Sequence, residues 1–118
     1  MENLVAGDLK IDVVELGPTA PIQLFWQGKS NDRHPGKVLA AYFETILAGA
    51  AQRKVPLEMH FEKLDHINSS TIAAIIQLIQ DARNKRIRLV LVYDQSLRWQ
   101  KISFDALRVL ANDETLLE

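Results

Sequence analysis

The chain of 118 residues contains no cysteine. Disulfides, thiolate metal sites and cysteine nucleophiles are therefore excluded, and a reducing compartment, the cytoplasm, is the expected setting. Glycine is scarce, five residues in all, and they form neither a Gly-x-Gly-x-x-Gly nor a Walker-type loop, so no nucleotide-cradling backbone motif is present. Neither sign of charge dominates: Lys and Arg number 14 against 15 Asp and Glu, a formal net charge of -1. That balance leaves no electrostatic footprint for nucleic acid or an anionic membrane. No apolar run approaches the ~18 residues of a spanning helix. The opening "MENLVAGDLKIDVVEL", with Glu2, Asp8 and Asp12, does not read as a signal peptide. Three histidines, His34, His60 and His66, include no pair at the i, i+4 spacing of a helical zinc site. No metal or cofactor is expected.

What is present is an ordinary globular composition, 47% hydrophobic and 25% charged. The length predicts a single domain over 1–118 with a core that needs no staples. Strand-type alternation runs through "LKIDVVEL", with Leu9, Ile11 and Val13 on one face, and through "IQLFWQG", with Ile22, Leu24 and Trp26 on one face. "GPTAP" between them is a turn, and the pair predicts an N-terminal hairpin. After a polar loop, "KSNDRHPG", the helical spacing of Leu39, Tyr42, Phe43, Ile46, Leu47 and Ala50 predicts a helix from Gly36 to Arg53. "PLEMHFEKL" reads as a strand with Leu57, Met59 and Phe61 inward, and Glu58, His60 and Glu62 outward. A second helix carries Ile72, Ile75, Ile76 and Ile79 as its stripe, flanked by Leu78 and Ala82, with Arg83, Lys85 and Arg86 at its C-terminal end, where cations suit the dipole. "IRLVLVYD" is a strand whose Arg88 is placed to pair with Glu58 or Glu62. A last helix is expected between Ser96 and about Ala111, with Phe104, Leu107 and Leu110 inward and Ser103 a candidate N-cap. The acidic end "NDETLLE" is expected to fray. Strand–helix alternation predicts parallel pairing through right-handed crossovers. The fold class is α/β, a mixed sheet with an N-terminal hairpin and helices mainly on one face.

Chemistry concentrates in "EKLDHINSSTIAAIIQLIQ", residues 62–80. Asn68, Ser69, Ser70 and Thr71 stand where a strand meets a helix, the usual place for function in an open α/β sheet. Two readings share that geometry. Asn68 or Ser69 is an N-cap whose side-chain oxygen satisfies an orphan amide of the first turn. Equally, a phosphoryl group on a hydroxyl here would add about -1.5 to -2 charges beside exposed N–H groups and the positive end of the dipole. Such a change would alter a partner surface and leave the fold intact. Ser69, His66 and Asp65 are the residue types of a hydrolase triad. There is, however, no Gly-x-Ser-x-Gly elbow, and sequence neighbours rarely adopt triad geometry; no enzymatic activity is expected. His66 in protonated form is also suited to contact a phosphate. Phe25 and Trp26 face opposite ways on one strand, and Trp99 has polar neighbours, so core packing and partner binding are both open to them.

The segment "HFEKLDHINSSTIAAIIQLIQDARNKRIRLVLVY" resembles the core of STAS domains, the family of bacterial anti-sigma-factor antagonists. Those open the helix with Asp-Ser-[Ser/Thr]-Gly-Leu, and their phosphorylated serine falls on Ser69. Asn68 stands in place of the usual Asp and Thr71 in place of the usual Gly. "INSSTIAAI" is still more similar to the Asn-Thr-Ser-Ser of the SiaC-like regulatory phosphoproteins, whose phosphorylated threonine also falls on Ser69. "WQGKSNDRHPGKVLAAYFETIL" is similar to their Gly-x-Ser loop and Tyr-Phe helix, and the likeness spans roughly residues 24–110. The resemblance implies a STAS-like single domain acting as a non-catalytic phospho-switch. Ser69 would be the modified residue, with Ser70 and Thr71 as alternatives, and Asp65, His66, Asn68, Ser70 and Thr71 would form the switch loop that meets a partner. It further implies a serine/threonine kinase of the histidine-kinase-like ATPase fold, a PPM-type phosphatase and, in SiaC-like systems, a diguanylate cyclase as effector. The departures at Asn68 and Thr71 support the alternative of a STAS-like small-ligand-binding or structural module without a covalent switch.

Overall fold

The computed structural model describes residues 2–30, 36–108 and 115–117. Among these the chain forms β1 (Leu4–Ala6), β2 (Leu9–Glu15), β3 (Ile22–Ser30), α1 (Gly36–Arg53), β4 (Leu57–Ile67), α2 (Ser69–Asn84), β5 (Leu89–Val92), α3 (Arg98–Arg108) and β6 (Thr115–Leu117). The strands lie in one sheet in sequence order. β1, β2 and β3 pair antiparallel, and every later step is parallel. Each parallel step carries one helix, and right-handed crossovers repeated in one direction lay all three on one face. Burial agrees. Ile11, Leu24, Trp26, Met59, Phe61 and Leu91 are fully buried, whereas Gln23, Phe25, Glu58, His60, Val90 and Val92 on the opposite face stay partly exposed. This is the mixed sheet that the alternation predicts.

β1 goes beyond the predicted hairpin. Ala6 pairs with Leu9, which leaves Gly7 and Asp8 as a two-residue turn. Gly7 has φ +60, the backbone that the first loop position of a tight hairpin requires. Gly28, at φ +83, lies so close to the Asp8 carbonyl that a Cβ there would come within 2.1 Å of its oxygen. Lys29 N donates to the same carbonyl.

Several expectations are corrected. The buried row of α2 is Thr71, Ile75, Leu78, Ile79 and Ala82. Ile72 and Ile76 are only partly covered, because the stripe is rotated toward Leu78 and takes in Thr71. Arg88 pairs with neither glutamate. Glu58 faces Val90 across the ladder, and its carboxylate accepts from Gln23 Nε2 at 3.0 Å and meets His60 Nε2 at 3.2 Å; Glu62 meets His60 Nδ1. Ser103 lies inside α3 and caps nothing. The turn into α3 is organised by Asp94, which accepts from the amide and hydroxyl of Ser96. Those bonds, the hydroxyl's first, hold the Asp94 carboxyl below its ordinary range. Phe104 and Leu107 are buried as expected, while Leu110 lies outside the described residues. Thr115–Leu117 does not fray; it pairs with Leu89–Leu91. No helix among the described residues is long and apolar enough to cross a membrane.

Candidate functional site

β4 carries the chain to the site and outruns its neighbour. β5 pairs only with Leu57–His60, whereas β4 continues to Ile67 against β3. On the unpaired side the backbone still needs partners, and Gln100 of α3 supplies them. Its side chain is fully buried, and Nε2 donates to the carbonyls of Phe61 at 2.7 Å and Leu64 at 3.1 Å. Its Oε1 accepts from Asp94 N at 2.8 Å. Gln100 thus replaces a stretch of missing strand and holds the approach to residues 65–71.

At the end of β4 the chain turns into α2 through Asn68, an N-cap with φ -96 and ψ 171. Asn68 Oδ1 accepts from Thr71 N at 2.9 Å and from Thr71 Oγ1 at 2.8 Å. An amide oxygen does here what a carboxylate does in an Asp cap. The Asn68 carbonyl takes the next amide, that of Ile72. The amides of Ser69 and Ser70 precede the first intrahelical bond and face the end of the helix dipole.

The three hydroxyls of the first turn have different surroundings. Ser69 and Ser70 are exposed. Thr71 is fully buried, and its hydroxyl lies 2.5 Å from that of Ser30, itself buried at the end of β3. Asn68 N donates to the Ser30 carbonyl at 3.0 Å, closing a ring between β3 and α2. Ser30 escapes a reading that places residues 29–36 in a loop. The available signal is the inward parity of Ile22, Leu24 and Trp26, which runs on to Ser30.

Asp65 and His66 are exposed on the last part of β4, with His66 opposite Lys29 in the ladder. No hydrogen bond or ion pair among the described residues joins either to Ser69. The three side chains are not assembled as a triad. Phe25 stacks on His60 at 4.5 Å on the open face of the sheet, and Trp26 is a core residue. Trp99 is partly buried, its ring 6.4 Å from that of Phe104. No group of three or more His, Asp or Glu among the described residues is arranged to hold a metal ion. Ser70 also stands at one end of a groove of about 300 Å³ between α1 and α2, lined by Phe43, Ala74 and Leu78 and edged by Gln77 and Asp81.

No protein-family model and no curated protein matches the chain. Among solved structures it is similar to the anti-sigma factor antagonist SpoIIAA in its unphosphorylated form, with a TM-score of 0.53 and 13% identity. The match covers 83% of this chain and 97% of that one. At that identity the likeness establishes the fold: this chain has the STAS-like α/β architecture of SpoIIAA.

Proposed function

We infer that this protein is a non-catalytic regulatory module of the STAS type, switched by phosphorylation at Ser69 and read by a protein partner. The observation that carries the reading is the contrast within the first turn of α2. Ser69 presents an exposed hydroxyl at a capped helix start, while the neighbouring structure is tied down by Asn68 and Thr71. Transfer of the γ-phosphoryl of a nucleoside triphosphate to Ser69 Oγ would release the nucleoside diphosphate and the hydroxyl proton. The product places a dianion beside the Ser69 and Ser70 amides, where the dipole favours it by about 0.3–1 kcal/mol. SpoIIAA is an anti-sigma factor antagonist with an unphosphorylated form, which fits a switch of this kind on this fold.

The kinase that fits is of the histidine-kinase-like ATPase fold, with a PPM-type phosphatase as the opposing enzyme, both acting in the cytoplasm. The Asn68-Ser69-Ser70 motif favours the SiaC-like branch, and with it a diguanylate cyclase as effector. Asp65, His66, Asn68 and Ser70 would share the contact surface. Mass spectrometry of the chain purified from its native host should find phosphate on Ser69. Ser69→Asp and Ser69→Ala should both stay folded and differ in the partner they retain. Equal retention by the two would refute the switch. A second reading, a small-ligand module, rests on the groove between α1 and α2. It predicts a bound small molecule in native mass spectrometry of the purified chain and no phosphate on the first turn of α2.

A further inference from the structure

The first turn of α2 offers three hydroxyls in a row, and a modifying enzyme has to act on one of them. The hydrogen bonds set the third apart from the exposed first two. Thr71 has a single hydroxyl proton, and it goes to Asn68 Oδ1. The close Ser30–Thr71 contact therefore has Ser30 as its donor. The Asn68 amide then donates back to the Ser30 carbonyl. The result is a closed ring, Ser30 to Thr71 to Asn68 to Ser30, that joins positions 41 residues apart in sequence. Ser30 and Thr71 are 2% and 0% exposed, so water does not compete for these bonds. A glycine at position 71 could not take part in this ring.

We propose that Ser30 and Thr71 are positioning residues that select the modified hydroxyl. They consume the third hydroxyl inside the fold and lock the first turn, so that Ser69 is presented outward in one orientation. The inference rests on the phospho-switch reading and adds a selectivity element to it. It also gives the departure at Thr71 a role: the threonine hydroxyl, which a glycine would lack, ties the first turn to β3.

The test uses the full chain with Thr71→Val, Thr71→Ser and Ser30→Ala. Thr71→Val keeps the shape and the capped amide and removes only the hydroxyl. Amide hydrogen exchange at residues 68–72 should be about five- to ten-fold faster in Thr71→Val and Ser30→Ala than in the parent, as expected for one lost buried hydrogen bond. Phosphopeptides from the native host should show the Ser69-to-Ser70 ratio falling by a similar factor. Thr71→Ser, which keeps the hydroxyl, should restore both readouts. An unchanged phosphopeptide ratio in a chain that is phosphorylated on this turn would overturn the selectivity role alone. So would Thr71→Ser behaving like Thr71→Val, because the methyl group and not the hydroxyl would then matter. Absence of phosphate from residues 69–71 in the parent would instead remove the switch reading and this inference together.

Discussion

At the scale of single residues, the polar side chains inside the core do more to shape the site than the exposed ones around it. Gln100 uses both amide protons on buried β4 carbonyls and its oxygen on the part-buried Asp94 amide. Gln100→Met keeps the length and loses all three bonds. Two buried carbonyls would be left without partners, at about 1–3 kcal/mol each, while water can reach the part-buried Asp94 amide. We expect a loss of about 2–4 kcal/mol in urea unfolding; a loss below ~1 kcal/mol would mean that water replaces the side chain. Neither this clip nor the Ser30–Thr71 pair is legible in the sequence, for a common reason. Binary patterning and capping rules act over a few residues, whereas these contacts span 36 to 41 positions. A glutamine within "LRWQKISF" or a serine after "WQGK" looks like surface polarity until the strand that needs it is in place. The Asn68 cap was legible because its partner is three residues away.

At the scale of elements, the spans of the helices were legible, and the way their ends are closed was not. The 36–53 helix was legible from apolar spacing and from Pro56 beyond its end. Glycine commonly follows a helix end, yet this glycine-poor chain closes two helices on charged residues. Lys54 and Arg86 take φ 56 and 57. Lys54 N donates to Ala51 O and Val55 N to Ala50 O; Arg86 N donates to Arg83 O and Ile87 N to Ala82 O. Both ends are Schellman closures, with Val55 and Ile87 as the buried residues that follow. Because the Ile87 amide serves that closure, β5 starts at Leu89 and not at the predicted residue 87. The left-handed conformation costs a non-glycine residue about 1–2 kcal/mol, and glycine loses about 0.5–1 kcal/mol through its freer unfolded chain. Lys54→Gly and Arg86→Gly should therefore each stabilise the domain by about 0.5–1 kcal/mol, read as a higher urea midpoint at unchanged slope. A fall in midpoint would show that the aliphatic stems of Lys54 and Arg86 contribute packing that outweighs the backbone strain.

At the scale of the whole molecule, the domain is one-sided. Three helices cover one face of the sheet, and the other face carries a half-exposed layer in which Phe25 stacks on His60 between Glu58 and Glu62. That sidedness was legible, because a period of two assigns each strand residue to a face before any pairing is known. The parallel pairing was legible from the helix between successive strands. The two faces should differ in energy although their residue types overlap. Phe61 is fully buried, with ring centroids 5.0 Å from Trp26 and 4.5 Å from Phe104, so Phe61→Ala opens a cavity in a packed aromatic cluster. Its cost should be about 3–5 kcal/mol. Phe25→Ala removes a ring that is already partly in water and whose main neighbour is His60, so its cost should be about 1 kcal/mol. Urea unfolding of the two variants measures the difference directly. Comparable losses would mean that the open face is covered in solution by another surface, and the one-layer description of the domain would then have to be abandoned. Neither substitution touches the first turn of α2. Phe25→Ala should therefore leave amide exchange at residues 68–72 as it is in the parent, because the site is held by Gln100, Ser30 and Thr71 on the helical side of the sheet and not by the open face.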